Sequence, residues 1–336
     1  MNKKTIGLDL GSANVRIWTR ENGIVLNEPC VISVDKESGK VVNAGSEAKK
    51  LLGKTASRGS TTLCPLKNGV IAEVDETVKL IYTFLKDINL QNPFSRPSVL
   101  VGIPDCATAV ERGAVMDAVY RAGAKSGGVY VVREPIAGAI GAGLPIDKPR
   151  GSMVVDIGSG TTEAVILSLD GMVVSNSIAI ASSNFDAAIA EYMHSKFNID
   201  IGLTTAEAIK INLGAVTPVA ERREGTLTGL NIKEKRPQKV SIDSVMISDA
   251  LREQSMAIIK LIKQTLRSAP PEICGDIFDS GITVTGGGSL IGGLQQLLSN
   301  QLGLKINIAK SPENCVIHGI GRIIENGLEQ YVEYDA

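Results

Sequence analysis

Two aspartates stand in matching surroundings. Asp9 lies in "TIGLDLGSANVRIW" (residues 5–18) and Asp156 in "MVVDIGSGTTEAVIL" (residues 153–167), 147 positions apart. Each ends an apolar, strand-like run and comes two residues before a glycine, Gly11 or Gly158, which a serine follows, Ser12 or Ser159. A strand–turn–strand with glycine at the turn bares backbone N–H groups, and several N–H groups aimed into one concavity bind anions. The hydroxyls of Ser12, Thr161 and Thr162 add donors. A strand-end carboxylate is a hard oxygen ligand suited to Mg²⁺ through retained waters. One such turn is an ordinary tight turn. Two in the same sequence relation predict a polyphosphate and its metal gripped by both halves of the chain, an arrangement suited to nucleotide hydrolysis. A third glycine cluster, Gly286–Gly288, follows the apolar "GITV" and precedes a helical pattern. It is neither a Walker A loop nor G-x-G-x-x-G. Bare backbone there suits close approach of a flat ligand, with a helix N-terminus favouring a phosphate or ribose oxygen.

The elements that must position these residues are short. "KTIGLDLGS", "VRIWTRENG", "GIVLNEPCVISVD" and "KVVNAGSEA" read as strands broken by turn signals. Helical spacing appears over 76–87, and "SVLVGIP" and "GVYVVREP" read as buried strands. Pro135 suits the first turn of a following helix. The second half repeats this order. Capping signals are Ser183 with Asp186 and Thr204 with Glu207, and a long amphipathic helix is expected over 248–267. The glycine-rich crossover at 141–148 is a plausible hinge.

Composition removes whole classes. With 336 residues, 43% hydrophobic and 21% charged, the chain is long enough for two folded domains. A net charge of −1 and 4% aromatics argue against nucleic acid as a partner. Five cysteines without C-x-x-C spacing predict neither disulfides nor zinc and suit a reducing cytosol. Two histidines leave little for a His-based triad. Only Met1–Lys4 precede the first strand-like run, so no signal peptide is expected, and no apolar run reaches the roughly 20 residues of a membrane span.

The two Asp-Gly turns and the triple glycine, in this order, resemble the phosphate-1, phosphate-2 and adenosine motifs of the actin/Hsp70/sugar-kinase superfamily. Within it the chain resembles the bacterial actin MreB family along nearly its whole length. The resemblance rests on "LDLGSANV" (8–15), "GIVLNEPCVI" (23–32), "PLKNGVIAE" (65–73), "VGIPDCATAVERGAV" (101–115), "EPIAGAIGAGLP" (134–145), "GSMVVDIGSGTTEAVILSLDG" (151–171) and "TGGGSLIGGL" (285–294). It implies an α/β actin-like ATPase fold, with two RNase H-like lobes around a nucleotide cleft and four subdomains. Their implied boundaries are 1–31, 73–144 and 315–336 for IA, 32–72 for IB, 145–181 and 245–314 for IIA, and 182–244 for IIB. It further implies ATP and Mg²⁺ as cofactors and slow hydrolysis. It implies self-assembly into paired protofilaments with a cell-shape or motility role at the inner membrane face, with other bacterial actins as partners.

Carried over residue by residue, the resemblance makes Asp9 and Asp156 metal-facing. Gly11, Ser12, Ala13 and Asn14 become the first phosphate loop, and Gly158, Ser159, Gly160, Thr161 and Thr162 the second. Glu207 and Lys210 match the pair reaching the adenosine, three apart on one helix face. Gly286, Gly287, Gly288 and Ser289 match the adenosine loop. Glu134 matches the hydrolytic glutamate, where a carboxylate would orient or deprotonate water, with Thr161 beside it. Read without the family, Glu134 is a helix-start carboxylate favoured by the dipole. The chain departs from the family pattern at Ser12, Val15 and Ser159 and at Ala181-Ser182-Ser183, which bears on nucleotide affinity and turnover. For membrane contact the segment "NLQNPFSRPS" (89–98) offers Leu90 and Phe94. The competing readings are a nucleotide-gated scaffold without useful hydrolysis, a small-molecule kinase and an Hsp70-like chaperone.

Overall fold

The computed structural model describes residues 4–54, 59–90, 96–217 and 222–333. The chain divides into two compact units: Met1–Pro149 with Leu167–Met172 and Glu313–Ala336, and Arg150–Ile166 with Val173–Pro312.

The first unit begins with β1 (Thr5–Leu10), β2 (Asn14–Thr19) and β3 (Gly23–Pro29), then β4 (Ile32–Asp35), β5 (Val41–Ala44), α1 (Gly45–Lys49) and β6 (Ser60–Leu63). Two short strands, β7 (Leu66–Lys67) and β8 (Val70–Ile71), lead to α2 (Val74–Asp87), β9 (Ser98–Ile103), α3 (Ala109–Arg121), β10 (Val129–Arg133) and α4 (Glu134–Ala142). The main sheet runs β10-β9-β1-β2-β3, with β9 and β10 parallel to β1 in direction and β2 antiparallel to it. All six residues of β1 are buried, as a strand covered on both faces requires. Ile6, Leu8 and Leu10 meet Leu80, Ile81, Phe84 and Leu85 of α2 and Val115 and Val119 of α3. The alternate residues Gly7 and Asp9 point the other way. Each fully buried aliphatic or aromatic side chain of this core contributes about 1.5–3 kcal/mol.

The second unit contains β11 (Ser152–Ile157), β12 (Thr162–Ser168), β13 (Gly171–Ile178), α5 (Ser182–Phe197), β14 (Ile199–Asp200), α6 (Leu203–Leu213), β15 (Glu224–Asn231) and β16 (Arg236–Asp243). It continues with α7 (Ser244–Ala250), α8 (Arg252–Arg267), α9 (Pro271–Ser280), β17 (Ile282–Thr285), α10 (Leu294–Leu302) and β18 (Ile306–Ile308). Its main sheet runs β13-β12-β11-β17-β18. Phe185, Ile189, Ile258, Ile262 and Ile277 pack on Met153, Val155, Ile282 and Val284.

The last helix, α11 (Cys315–Asn326), belongs to the first unit and covers the face of β1 that bears Gly7. A Cβ on Gly7 would lie 2.6 Å from Ile320 Cγ2. α11 also meets α4 backbone to backbone. A Cβ on Gly319 would stand 1.7 Å from the Ala137 carbonyl oxygen, and one on Gly141 would stand 1.8 Å from that of Cys315.

Three expectations shift. The helix expected over 248–267 is divided: α7 ends at Ala250, α8 begins at Arg252, and fully buried Leu251 lies between them. Ser183 and Asp186 do not cap α5; the Asn184 side chain instead accepts from the Ala181 N–H at 2.8 Å, and Asp186 is engaged by Lys210. Thr204 lies inside α6, whose N-cap is Gly202. Among the described residues no helix is long and apolar enough to cross a membrane. Cys30 is buried, and burial pushes its thiol up to about 12, whereas Cys106 is exposed.

Candidate functional site

The two Asp-Gly turns close alike. The Gly11 N–H donates to the Asn14 carbonyl at 3.1 Å and the Gly158 N–H to that of Thr161 at 2.9 Å. A Cβ at either glycine would crowd the accepting oxygen, at 2.9 Å and 3.2 Å. Both turns sit at the carboxyl ends of central strands, the edge where open α/β sheets place ligands.

In the first unit, β1 pairs with β9 so that Leu8 stands beside Val101, and Asp9 and Gly102 follow along their strands. The Glu134 stem passes over Gly102, where an added Cβ would come within 3.3 Å of Glu134 Cγ. That Cβ would also meet Ile320 and Val316 of α11, so Glu134 and Asp9 share the sheet face that α11 covers. Glu134 follows directly on β10, and its neighbour Arg133 is fixed by Asp105 and Glu333, each at 2.8 Å. The Ser12 hydroxyl oxygen accepts from the Gly69 N–H at 2.8 Å, and the Ala13 carbonyl accepts from the Cys30 N–H at 2.8 Å. Asn14 donates to the Asn27 side chain at 2.9 Å.

Asp9 has a partner that the sequence reading missed. Arg16, opposite it on β2, donates from Nη1 to Asp9 Oδ2 at 2.9 Å. The pair is nearly enclosed, the side chains being 12% and 8% exposed. Burial raises the Asp9 carboxyl above its ordinary value, and the Arg16 charge and hydrogen bond oppose that rise. The hairpin register held the signal: a turn closing Gly11 on Asn14 sets residue 16 across from residue 9.

In the second unit the candidate segments converge. β11 and β17 run parallel with Asp156 beside Thr285, whose hydroxyl donates to Asp156 Oδ1 at 2.6 Å. Gly286 follows at φ +82°, and a Cβ there would lie 2.3 Å from the Ile157 carbonyl oxygen. Only glycine meets both conditions. A Cβ on Gly288 would lie 2.9 Å from the Ile157 oxygen and 3.2 Å from that of Gly158, so the glycine loop lies directly on the Asp156–Gly158 backbone. Gly287 is exposed, and Ser289 is buried with its hydroxyl donating to the Gly286 carbonyl at 2.7 Å. The start of α5 joins them: the Ser182 and Ser183 N–H groups donate to the Gly158 and Ser159 carbonyls at 3.2 Å and 2.9 Å. Gly160 is buried and Thr161 half-buried, while the Thr162 hydroxyl is engaged by the Ile180 carbonyl at 2.7 Å.

Lys210 reaches the same corner from α6. Its Nζ donates to the Ser182 hydroxyl at 2.7 Å and pairs with Asp186 at 2.8 Å, both side chains being largely buried. Glu207 stands one turn earlier, half-buried. Leu90 is partly buried against the first unit's core, and Phe94 lies outside the described residues.

No group of three or more His, Cys, Asp or Glu side chains capable of holding a metal occurs among the described residues. Mg²⁺ needs only one or two carboxylates besides phosphates and water, a donor set these two turns contain in Asp9 and Asp156. Asp9 already shares its charge with the Arg16 guanidinium.

Two α/β units, each with an Asp-Gly turn at the carboxyl edge of its main sheet, define an actin-like two-lobed fold. Solved structures agree. MreB 5 of Spiroplasma citri bound to AMPPNP superposes with a TM-score of 0.91 at 33% identity, over 97% of this chain and 98% of that one. A MamK double helical filament structure superposes at 0.78 and 20% identity, over 96% of this chain and 98% of that one, a likeness of fold alone. The chain belongs to the MreB/Mbl protein family, whose profile matches residues 3–331. It is 40% identical to the cell shape-determining protein Mbl of Bacillus subtilis over 326 residues, 97% of both chains. It is 39% identical to the cell shape-determining protein MreB of Escherichia coli over 331 residues, 97% of this chain and 94% of that one.

Proposed function

We propose that this chain binds ATP with Mg²⁺, hydrolyses it slowly, and assembles with copies of itself into cytoskeletal filaments that serve cell shape or motility at the inner face of the membrane. One observation carries the nucleotide reading: in the second unit the Gly158 turn, the Gly286–Ser289 loop, the start of α5 and Lys210 meet at one sheet edge, beside Asp156. The solved S. citri relative bears an ATP analogue, and the curated relatives are cell shape-determining proteins. In this reading the two glycine turns receive the phosphates through N–H groups. The Gly286–Ser289 loop, with Glu207 and Lys210, receives the adenosine. Lys210 also anchors α5 through Ser182, which holds the wall of that pocket in place. Bound Mg²⁺ supplies charge neutralisation of the phosphates, and Asp156 holds its water shell. Glu134 orients the attacking water, its backbone fixed by the α4–α11 contact and by the ion pairs of Arg133. We read the two small sheets, β5-β4-β6 and β14-β15-β16, as belonging to the two outer subdomains.

Pelleting and electron microscopy with ATP and Mg²⁺, alongside phosphate release, test the reading. Filaments with slow release are expected. Glu134→Ala is expected to slow release at least about tenfold, a barrier change of about 1.4 kcal/mol, while ATP binding stays within twofold or so. Filaments without any release would favour a nucleotide-gated scaffold. Monomers that phosphorylate a sugar would favour a kinase.

A further inference from the structure

The segment that follows α11 wraps the edge of the first unit's main sheet, and it does so beside Glu134. β10 is an edge strand of that sheet. Its open side is taken at Val131 by Glu333 in an antiparallel bridge. The Glu333 N–H donates to the Val131 carbonyl at 2.9 Å, and the Val131 N–H donates to that of Glu333 at 3.1 Å. The short 3₁₀ turn Glu329–Tyr331 brings the chain there from α11, with Tyr331 and Val332 buried. One stretch of chain therefore meets the β10–α4 corner from both faces of the sheet. α11 covers the face over which the Glu134 stem passes. Glu333 acts on the other, where Arg133 stands two residues past Val131 and so on the same side of the strand, the side of α2 and α3.

The Glu333 carboxylate is divided between two arginines. Oε1 accepts from Arg133 Nε at 2.8 Å, and Oε2 accepts from Arg112 Nη1 on α3. Arg133 also donates from Nη1 to Asp105 at 2.8 Å. The Glu333 bond does most to raise the Arg133 guanidinium above its ordinary value, against partial burial that lowers it, with Asp105 the lesser partner. Arg133 is the residue at which β10 becomes α4. Its backbone is extended, at φ −70° and ψ 128°, and no side chain caps the helix there. On this face the bend that aims Glu134 is held through a guanidinium and not through a cap. Without the Glu333 charge, two guanidiniums would converge on a neutral group and repel. Resting on the reading of Glu134 above, we propose that Glu333 is a positioning residue for hydrolysis: it fixes the Arg133–Glu134 corner so that the Glu134 carboxylate stays aimed at the water it orients.

The test is phosphate release by the full chain with ATP and Mg²⁺, expressed per pelleted protein, with ATP affinity by calorimetry and folding by thermal melting. Glu333→Gln keeps the size of the side chain and removes its charge. It is expected to lower the maximal rate about threefold to tenfold and to leave ATP affinity within about twofold, since misplacing a reacting group by about 1 Å costs up to about a hundredfold in rate. Arg133→Lys keeps the charge but not the fork that reaches Glu333 and Asp105 together, and is expected to behave alike. In a Glu134→Ala background Glu333→Gln is expected to slow release no further, because the residue it positions is gone. A purely structural role would slow both backgrounds by the same factor or weaken ATP binding, and either result overturns the proposal. A folded Glu333→Gln that releases phosphate at the wild-type rate also overturns it; if that variant does not fold, a wild-type rate in Arg133→Lys does so. Wild type that binds ATP and is not slowed by Glu134→Ala would remove Glu134, and this inference with it. Wild type that binds no ATP would remove the nucleotide reading as well.

Discussion

Gly319→Ala should be among the most damaging single-methyl additions in this chain. The new Cβ would stand 1.7 Å from the Ala137 carbonyl oxygen and 2.5 Å from its carbon, with no flexible side chain in between to yield. Ordinary contact needs roughly 3.5 Å, so α11 and α4 would have to part by on the order of 1.5 Å. Both helices are packed over their length, and α11 also meets β1 through Ile320. Overpacking of a well-filled core costs about 1–3 kcal/mol. A backbone oxygen as the obstacle puts this site at the upper end or beyond, so we expect about 3 kcal/mol or more. In thermal unfolding that corresponds to a fall of roughly 5–10 °C. Gly113→Ala is the matched control. It lies inside α3, exposed, with nothing within 4 Å of an added Cβ. Removing a helix-interior glycine there should be neutral or stabilise by up to about 1 kcal/mol. If Gly319→Ala melts within a degree or two of wild type, the backbone-to-backbone contact does not hold α4, and the account of how Glu134 is positioned fails with it.

Other outcomes follow from the same geometry. Asp156→Ala should weaken ATP binding in Mg²⁺ more than in EDTA; equal losses would argue against a metal role. Asp243 caps α7, accepting from the N–H groups of Val245 and Met246 at 2.8 Å and 2.9 Å, and these bonds with Arg222 hold its carboxyl below the ordinary value. Asp243→Ala should therefore cost about 1–2 kcal/mol at neutral pH. Because the folded value is depressed, that stabilisation is present above the unfolded value of about 3.9 and is lost as pH falls further. The gap between wild type and variant in urea titrations should thus close in acid; a gap constant down to pH 2.5 would refute the capping role. Phe94→Ser should lower co-sedimentation with anionic liposomes, and unchanged pelleting would retire residues 89–98 as a membrane contact.

Much of the central architecture was legible because it depends on local rules. Apolar runs ending in Asp-x-Gly announce a buried strand and a bare turn, and both turns close as glycine permits. Pro135 sits in the first turn of α4, where its missing N–H is harmless. Charge partners were not legible, because they depend on which strands and helices meet. Thr285 reaches Asp156 only because β17 lies beside β11, across 129 residues of chain. Lys210 reads as a helix-face cation in the sequence, yet its nearest partners lie on α5, which also took Asp186 out of its expected cap. Leu251 lies inside the stretch that reads as one helix, yet α7 and α8 divide there. Arg16 was within reach, since a two-strand hairpin fixes its own register, but it required following the turn to its second strand.

The unequal cysteines leave the protein with a handle of its own. Cys30 and Cys315 are sealed in the interior, and the Cys30 thiol, raised to about 12, presents almost no thiolate at neutral pH. Cys106 is in the open, three residues past the end of β9 and next to Asp105, the residue that grips Arg133 ahead of Glu134. A brief exposure to maleimide dye should therefore mark that spot first. The unaltered chain would then carry a fluorescent reporter next to the strand end where water is proposed to attack.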